Sequence, residues 1–224
     1  MTLALVDHRA LALTYLQLKR KVIDAGFDSE ISWQSNVDVR QLTERGFLEE
    51  AAWVVLSSGM RETIVRRRFP AIREAFLSWS SAESIVKARE RCRNHALSVF
   101  NHRPKINAIL QIADKIAALS FDWFLSRIIE EGVRYLERLP FMGPVTSFHL
   151  AKNIGLQVAK PDRHLIRIAQ LFGFETPQVL CEAISNQVSE PVPVVDVVLW
   201  RYATIQRNYR TYITNTYRTS LQLT

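Results

Sequence analysis

Residues 139–167 read Leu139-Pro140-Phe141-Met142-Gly143-Pro144-Val145-Thr146-Ser147-Phe148-His149-Leu150-Ala151-Lys152-Asn153-Ile154-Gly155-Leu156-Gln157-Val158-Ala159-Lys160-Pro161-Asp162-Arg163-His164-Leu165-Ile166-Arg167. A Leu-Pro turn carrying Gly143 opens a helical pattern over 144–154, and Gly155 stands where a helix-ending glycine belongs. Pro161 fixes the chain ahead of Asp162, and Leu165, Ile168, Ala169 and Phe172 then recur at helical spacing. Asp162 is therefore predicted to N-cap a second helix, the commonest use of aspartate at such a position. A tight turn that opens a helix presents unpaired N–H groups, and the helix dipole adds positive charge. Together they hold a phosphate without reading sequence. A plain corner packing two helices is the competing reading of the same turn.

Outward from this block the chain reads helical throughout. Alternating strand patterns are nearly absent and turn residues are sparse. Helices are predicted at 8–25, 38–45, 47–59, 61–68, 70–77, 81–100, 105–119, 121–130, 132–138, 144–154, 162–172, 176–187 and 193–208. Ser81 and Thr176 have the character of N-caps, the latter followed by Pro177 at the first helical position, and Gly173 sits at a helix end. Residues 26–37, GFDSEISWQSNV, form the longest polar connection and the best linker candidate. No internal repeat is evident.

The 224 residues suffice for a sizeable core, as one domain or two small lobes. A hydrophobic fraction of 48% and a charged fraction of 23% are ordinary for a globular chain. Two cysteines, Cys92 and Cys181, exclude a four-thiolate zinc or iron–sulfur site. No apolar run approaches the roughly 18 residues that span a bilayer. The N-terminal stretch reads as an amphipathic helix rather than a signal peptide, so a cytoplasmic protein without a membrane partner is expected.

The net charge of +7 is unevenly placed: residues 1–50 hold six Lys/Arg against eight Asp/Glu, and the rest is strongly basic. A basic body suits a polyanion, or is simply a solvated surface. Arginines crowd at Arg61, Arg66, Arg67, Arg68 and Arg73, and again from Lys87 to Lys105. After Asp196 there is no acid at all, while Arg201, Arg207, Arg210 and Arg218 alternate with Tyr202, Tyr209, Tyr212 and Tyr217. Base or phosphate contact is one reading of this tail. Tyrosines packing on the domain is the other.

The 139–167 block resembles the signature of the helix-hairpin-helix DNA glycosylases, a superfamily marked by a hairpin and a Gly/Pro-rich loop ending in aspartate. Weaker likeness extends over about 50–200. Leu56-Ser57-Ser58-Gly59-Met60-Arg61-Glu62-Thr63 is similar to a family segment whose glutamine fills the hole left by a flipped base. Gly59 or Met60 occupies that place here, with Met60 and Arg61 as substitutes. Arg103-Pro104-Lys105-Ile106-Asn107-Ala108-Ile109 resembles a family helix start, and Asp196-Val197-Val198-Leu199-Trp200 a late family helix. Residues 1–49 and the Tyr/Arg tail match no family pattern.

The resemblance implies an all-α, two-lobe helix-hairpin-helix DNA glycosylase fold. Residues 38–157 would form a helical barrel lobe ending in the hairpin, and 1–37 plus 158–224 a second lobe carrying the catalytic aspartate, with DNA in the cleft between them. The implied reaction hydrolyses the N-glycosidic bond of a damaged or modified base flipped out of double-stranded DNA and leaves an abasic site. Asp162 would be catalytic: its charge stabilises oxocarbenium character on the sugar and orients the attacking water. Leu139, Pro140, Phe141, Met142, Gly143, Val145, Thr146, Lys160 and Arg163 would contact DNA. Arg163, His164 and Arg167 follow the family's Asp-x-His-x-x-Arg pattern, with His164 structural.

Two departures stand out. The family turn usually has two glycines spaced by one residue, and here Phe141 replaces the first; it changes the turn or places an aromatic near the DNA backbone. The family's lysine nucleophile falls on Val145, which cannot form a Schiff base, so the implied enzyme is monofunctional. Lys152 and Lys160 are off register; a bifunctional lyase using one of them is a lesser alternative.

Base-pocket or hole-filling candidates are Met60, Arg61, Trp53 and Phe148, with Trp33 and Trp200, each of which core packing also explains. No cofactor or catalytic metal is implied, beyond room for a structural monovalent cation at the hairpin. A monomer is expected, at the nucleoid in a prokaryote. Base-excision repair, excision of a modified phage base such as glucosylated hydroxymethylcytosine in antiviral defence, and DNA binding without catalysis all remain open. The sequence does not select the base.

Overall fold

The computed structural model describes residues 6–224 and consists of helices, two of them short 3-10 turns, with no strand among the described residues. In chain order the α-helices are α1 (His8–Asp24), α2 (Asp28–Ser35), α3 (Glu44–Ser57), α4 (Glu62–Ala75), α5 (Ala82–Lys87), α6 (Arg89–Val99), α7 (Arg103–Leu119), α8 (Phe121–Glu131), α9 (Val133–Leu136), α10 (Thr146–Asn153), α11 (Arg163–Leu171), α12 (Pro177–Val188), α13 (Val192–Ile205) and α14 (Tyr209–Ser220). They divide into two compact units, Asp38–Ile154 and Met1–Val37 with Gly155–Thr224. No helix among the described residues is long and apolar enough to cross a membrane.

Helix α7 is the centre of the Asp38–Ile154 unit. Ile106, Ile109, Leu110, Ile112, Ala113 and Ile116 are buried at helical spacing, and α3, α5, α6 and α8 pack around them. Each fully buried Ile or Leu contributes roughly 1.5–3 kcal/mol, which is why this stripe organises the unit. The caps expected at Ser81 and Thr176 are formed, their side chains accepting from Ser84 N and Val179 N, and Thr43 and Ser120 cap α3 and α8 in the same way.

Several boundaries differ from the sequence reading. The helix predicted at 38–45 is only a 3-10 turn at Val39–Gln41, and α3 has already begun at Glu44. The predicted break between 61–68 and 70–77 is absent, because α4 runs through Pro70. An interior proline costs about 3 kcal/mol. Burial of Val65 and Ile72, and the edge-on packing of Phe69 against Trp53 at 5.2 Å, offset it. Conversely the predicted helix 81–100 is two helices, broken at Ala88 (φ −98°, ψ 20°), and Arg89 begins the second by gripping both oxygens of Asp114 on α7 at 2.6 and 2.7 Å.

Glu50 on α3 accepts a hydrogen bond from Asn153 Nδ2 at the end of α10 (3.0 Å), and burial pushes its carboxyl up to about 7. A carboxyl raised in the folded state favours folding while protonated. That stability is complete below 4.5, the ordinary value, and is lost as pH rises toward about 7. Replacing Glu50 with Gln is expected to flatten this dependence and to stabilise the protein above pH 7, by up to about 3 kcal/mol at ~1.4 kcal/mol per pKa unit. Denaturant melts at several pH values check it; an unchanged slope between pH 5 and 7 would place the titration elsewhere.

In the other unit α1 supplies Leu11, Tyr15, Leu18 and Val22 to a core shared with α12, α13 and α14. The expected linker at 26–37 is instead largely helix α2. Its sequence is polar, yet Glu30 takes both arms of the Arg201 guanidinium (2.8 and 2.5 Å), which lies between the rings of Phe27 and Trp200 (4.4 and 4.5 Å). A forked, stacked arginine is a strong anchor, and it ties α2 to α13. The tail beyond 208 is also helical, as α14, with Tyr209 and Ile213 buried. Its polar composition hid it.

Candidate functional site

A tight turn joins α9 to α10 over residues 137–145. Leu139 and Met142 are each 5% exposed and root the turn in the core. Their side chains face the core, which leaves their main chain at the turn. Gly143, Pro144 and Val145 are exposed, and Pro140 and Thr146 are half-buried. Val145 and Thr146 form the open start of α10, where amides lack intrahelical acceptors.

Phe141 has φ +68°, the left-handed region that favours glycine. The phenylalanine therefore bears the left-handed strain that a glycine would avoid. Its ring, 40% exposed, lies edge-on to His102 at 6.4 Å. Relief of left-handed strain is worth about 1–2 kcal/mol, against about 0.5–1 kcal/mol of glycine entropy. Phe141→Gly is therefore expected to keep stability within about 1 kcal/mol of the parent despite losing a whole ring. A thermal melt showing a loss beyond about 2 kcal/mol would show that ring contacts dominate.

The Thr146 hydroxyl closes the turn. It accepts from the Gly143 amide at 2.6 Å, and the carbonyl oxygens of Phe141 and Gly143 lie 3.1 and 3.2 Å from it. The Thr146 hydroxyl thus sits where the carbonyl oxygens of the turn converge. No group of three or more His, Cys, Asp or Glu side chains suited to a metal occurs among the described residues.

Lys105 joins three segments singled out in the sequence. It is 3% exposed at the start of α7. Its Nζ donates to Leu56 O at 2.7 Å and to Ser58 O, closing the end of α3, and stands 5.9 Å from the Phe141 ring centroid. Burial pulls its ammonium below the ordinary lysine value. The 56–63 turn, the α7 start and the hairpin thus converge on one buried cation. No role for Lys105 was assigned from sequence; a lysine directly after Arg103-Pro104 at a helix start was the one available signal.

Of the hole-filling candidates, Met60 and Arg61 are exposed on the turn that Gly59 makes at φ +67°. The half-buried Trp53 ring packs edge-on against Phe69 and lies 5.5 Å from the Arg66 guanidinium, the core-packing alternative for this residue. Phe148 is half-buried on α10.

In the unit of α11, Asp162 is the predicted N-cap: Oδ1 accepts from His164 N (2.8 Å) and Leu165 N (3.0 Å). Both cap bonds use one oxygen, so Oδ2 stands outside them. The loop before it is pinned from below. Asp196, 1% exposed on α13, accepts from Lys160 N at 2.7 Å, and Gln178 Oε1 from Ala159 N at 2.7 Å. The lone acid in the run Val194-Val195-Asp196-Val197-Val198 is thus a positioning group for the aspartate loop. Arg163 is exposed and donates from Nε to His164 Nε2 at 3.4 Å. The His164 ring packs at 5.6 Å on Tyr209 of α14, and burial lowers its pKa.

No protein-family model matches the chain, and no curated protein is similar to it in sequence.

Proposed function

We propose that the protein is a monofunctional DNA glycosylase with a two-lobe helix-hairpin-helix fold, which hydrolyses the N-glycosidic bond of an altered base using Asp162. The observation that carries this reading is the double cap on Asp162 Oδ1, with the loop before it pinned by Asp196. That arrangement holds a carboxylate rigidly at a helix N-terminus and keeps its second oxygen for other work. A fixed negative charge there stabilises positive charge developing at the anomeric carbon as the base departs, and the free oxygen accepts a proton from the attacking water.

Two further features support the monofunctional form. Val145 occupies the position of the family's nucleophilic lysine, and Lys152 is buried. The hairpin would hold a phosphate at the start of α10, with Phe141 beside it.

A second reading, DNA binding without catalysis, draws on the turn itself: the Gly143 amide is spent on Thr146, and the place of the hole-filling glutamine is taken by Gly59 and Met60. The test is to incubate wild-type protein with duplexes each bearing one altered base, and with modified phage DNA. Released bases are read by mass spectrometry and abasic sites by alkaline cleavage. Base release that leaves an abasic site, with no borohydride-trapped adduct, is expected. Binding without release from any substrate would favour the second reading, and a trapped adduct would favour a lyase.

A further inference from the structure

Helices α11 and α14 lie side by side and parallel. His164 meets Tyr209 near their starts (5.6 Å) and Phe172 meets Tyr217 near their ends (5.1 Å). Between them runs an open groove of about 480 Å³, bordered by Leu171 on one side and by Arg207, Asn208, Arg210, Asn215 and Arg218 on the other. Its upper end is one ring contact from the first turn of α11, the turn that Asp162 caps.

Many arginines elsewhere are neutralised, although Arg61, Arg67, Arg68, Arg91 and Arg103 are, like those of this groove, exposed and outside any ion pair among the described residues. Arg66, Arg89, Arg93, Arg127, Arg138 and Arg201 are each paired with a carboxylate. Arg207, Arg210 and Arg218 are exposed, and none forms an ion pair among the described residues. No acid follows Asp196 in the chain to neutralise them. The remaining polar lining consists of amide and hydroxyl side chains, which donate hydrogen bonds, and the start of α14 adds its own amides and dipole.

Three unpaired guanidinium groups, Arg210 and Arg218 on α14 and Arg207 just before it, with neutral polar groups between them and an open rather than enclosed shape, match a chain of phosphates better than a small ligand. We infer that the α11–α14 groove binds the phosphate backbone of double-stranded DNA, at a place separate from the hairpin and independent of sequence. This rests on the reading of DNA as the substrate. It gives the Tyr/Arg tail a divided role: Tyr209 and Tyr217 fasten α14 to α11, and the arginines face the ligand.

The test measures duplex affinity against salt for the wild type and for R207Q/R210Q/R218Q. A control, R9Q/R20Q/R45Q, removes the same charge from exposed positions outside the groove. The groove variant is expected to bind at least about tenfold more weakly, with the log–log salt slope reduced by about 0.9 for each phosphate no longer neutralised. The control should stay within about twofold. A second variant, Thr211→Glu, puts a carboxylate into the groove at the third residue of α14, where acids favour a helix; it should keep its melting temperature and still lose affinity. Equal affinity and slope in the groove variants would overturn this inference while leaving the glycosylase reading intact. An equal loss in the control would do the same, by showing that only net charge counts. A wild type that binds anionic lipid vesicles but no duplex would overturn both.

Discussion

Replacing Asp162 with asparagine is expected to lower base release by roughly three orders of magnitude while leaving the fold in place. Asparagine caps a helix about as well as aspartate, and its side-chain oxygen can take over the bonds from His164 N and Leu165 N. The lost favourable charge–dipole term is about 0.3–1 kcal/mol, so the melting temperature should move little. What disappears is the negative charge and the basic oxygen. Removing one preorganised electrostatic group from an active site costs about 10²–10³ in rate, and this carboxylate would supply both charge stabilisation and general base. Single-turnover release beside a thermal melt separates the two effects. Undiminished release by a well-folded Asp162→Asn protein would rule out this residue as the catalyst. A large drop in stability would mean that the residue is chiefly a structural cap.

The largest stability effect is expected at Lys105. Lys105→Met keeps the length and apolar stem but deletes the donor to Leu56 O and Ser58 O. Each buried acceptor left without a partner costs about 1–3 kcal/mol, so a loss of about 3 kcal/mol is expected in denaturant unfolding. The effect should reach beyond α3, since the turn carrying Met60 and the aromatic edge of the hairpin both rest on this ammonium. A loss below about 1 kcal/mol would show that water satisfies both carbonyls and that the convergence of the three segments has another cause.

How far the sequence could be read follows from the range of each interaction. The Asp162 cap was legible because it is made with amides two and three residues away, and Pro161 restricts the chain before it. The helical stripe of α7, the Ser81 and Thr176 caps and the glycines after α10 and α11 are local in the same sense. Phe141 was legible as an anomaly, but its outcome was not. Whether a bulky residue bends the turn or accepts φ +68° depends on how firmly Leu139 and Met142 root it in the core. The linker assigned to 26–37 failed for a long-range reason: the partner that anchors this polar stretch, Arg201, lies 171 residues from Glu30.

By itself the sequence determined the all-helical class, the position of the tight turn before α10 and the capping role of Asp162. Backbone sterics, periodic burial and short-range hydrogen bonds are written into adjacent residues. Only the tertiary structure decided which charges are buried or paired and which stay exposed and unpaired. Lys105 closes a helix made 49 residues earlier, Asp196 holds a loop 36 residues before it, and α14 lies along α11 with its arginines unpaired. Each depends on a distant partner supplied by packing, which no local pattern encodes.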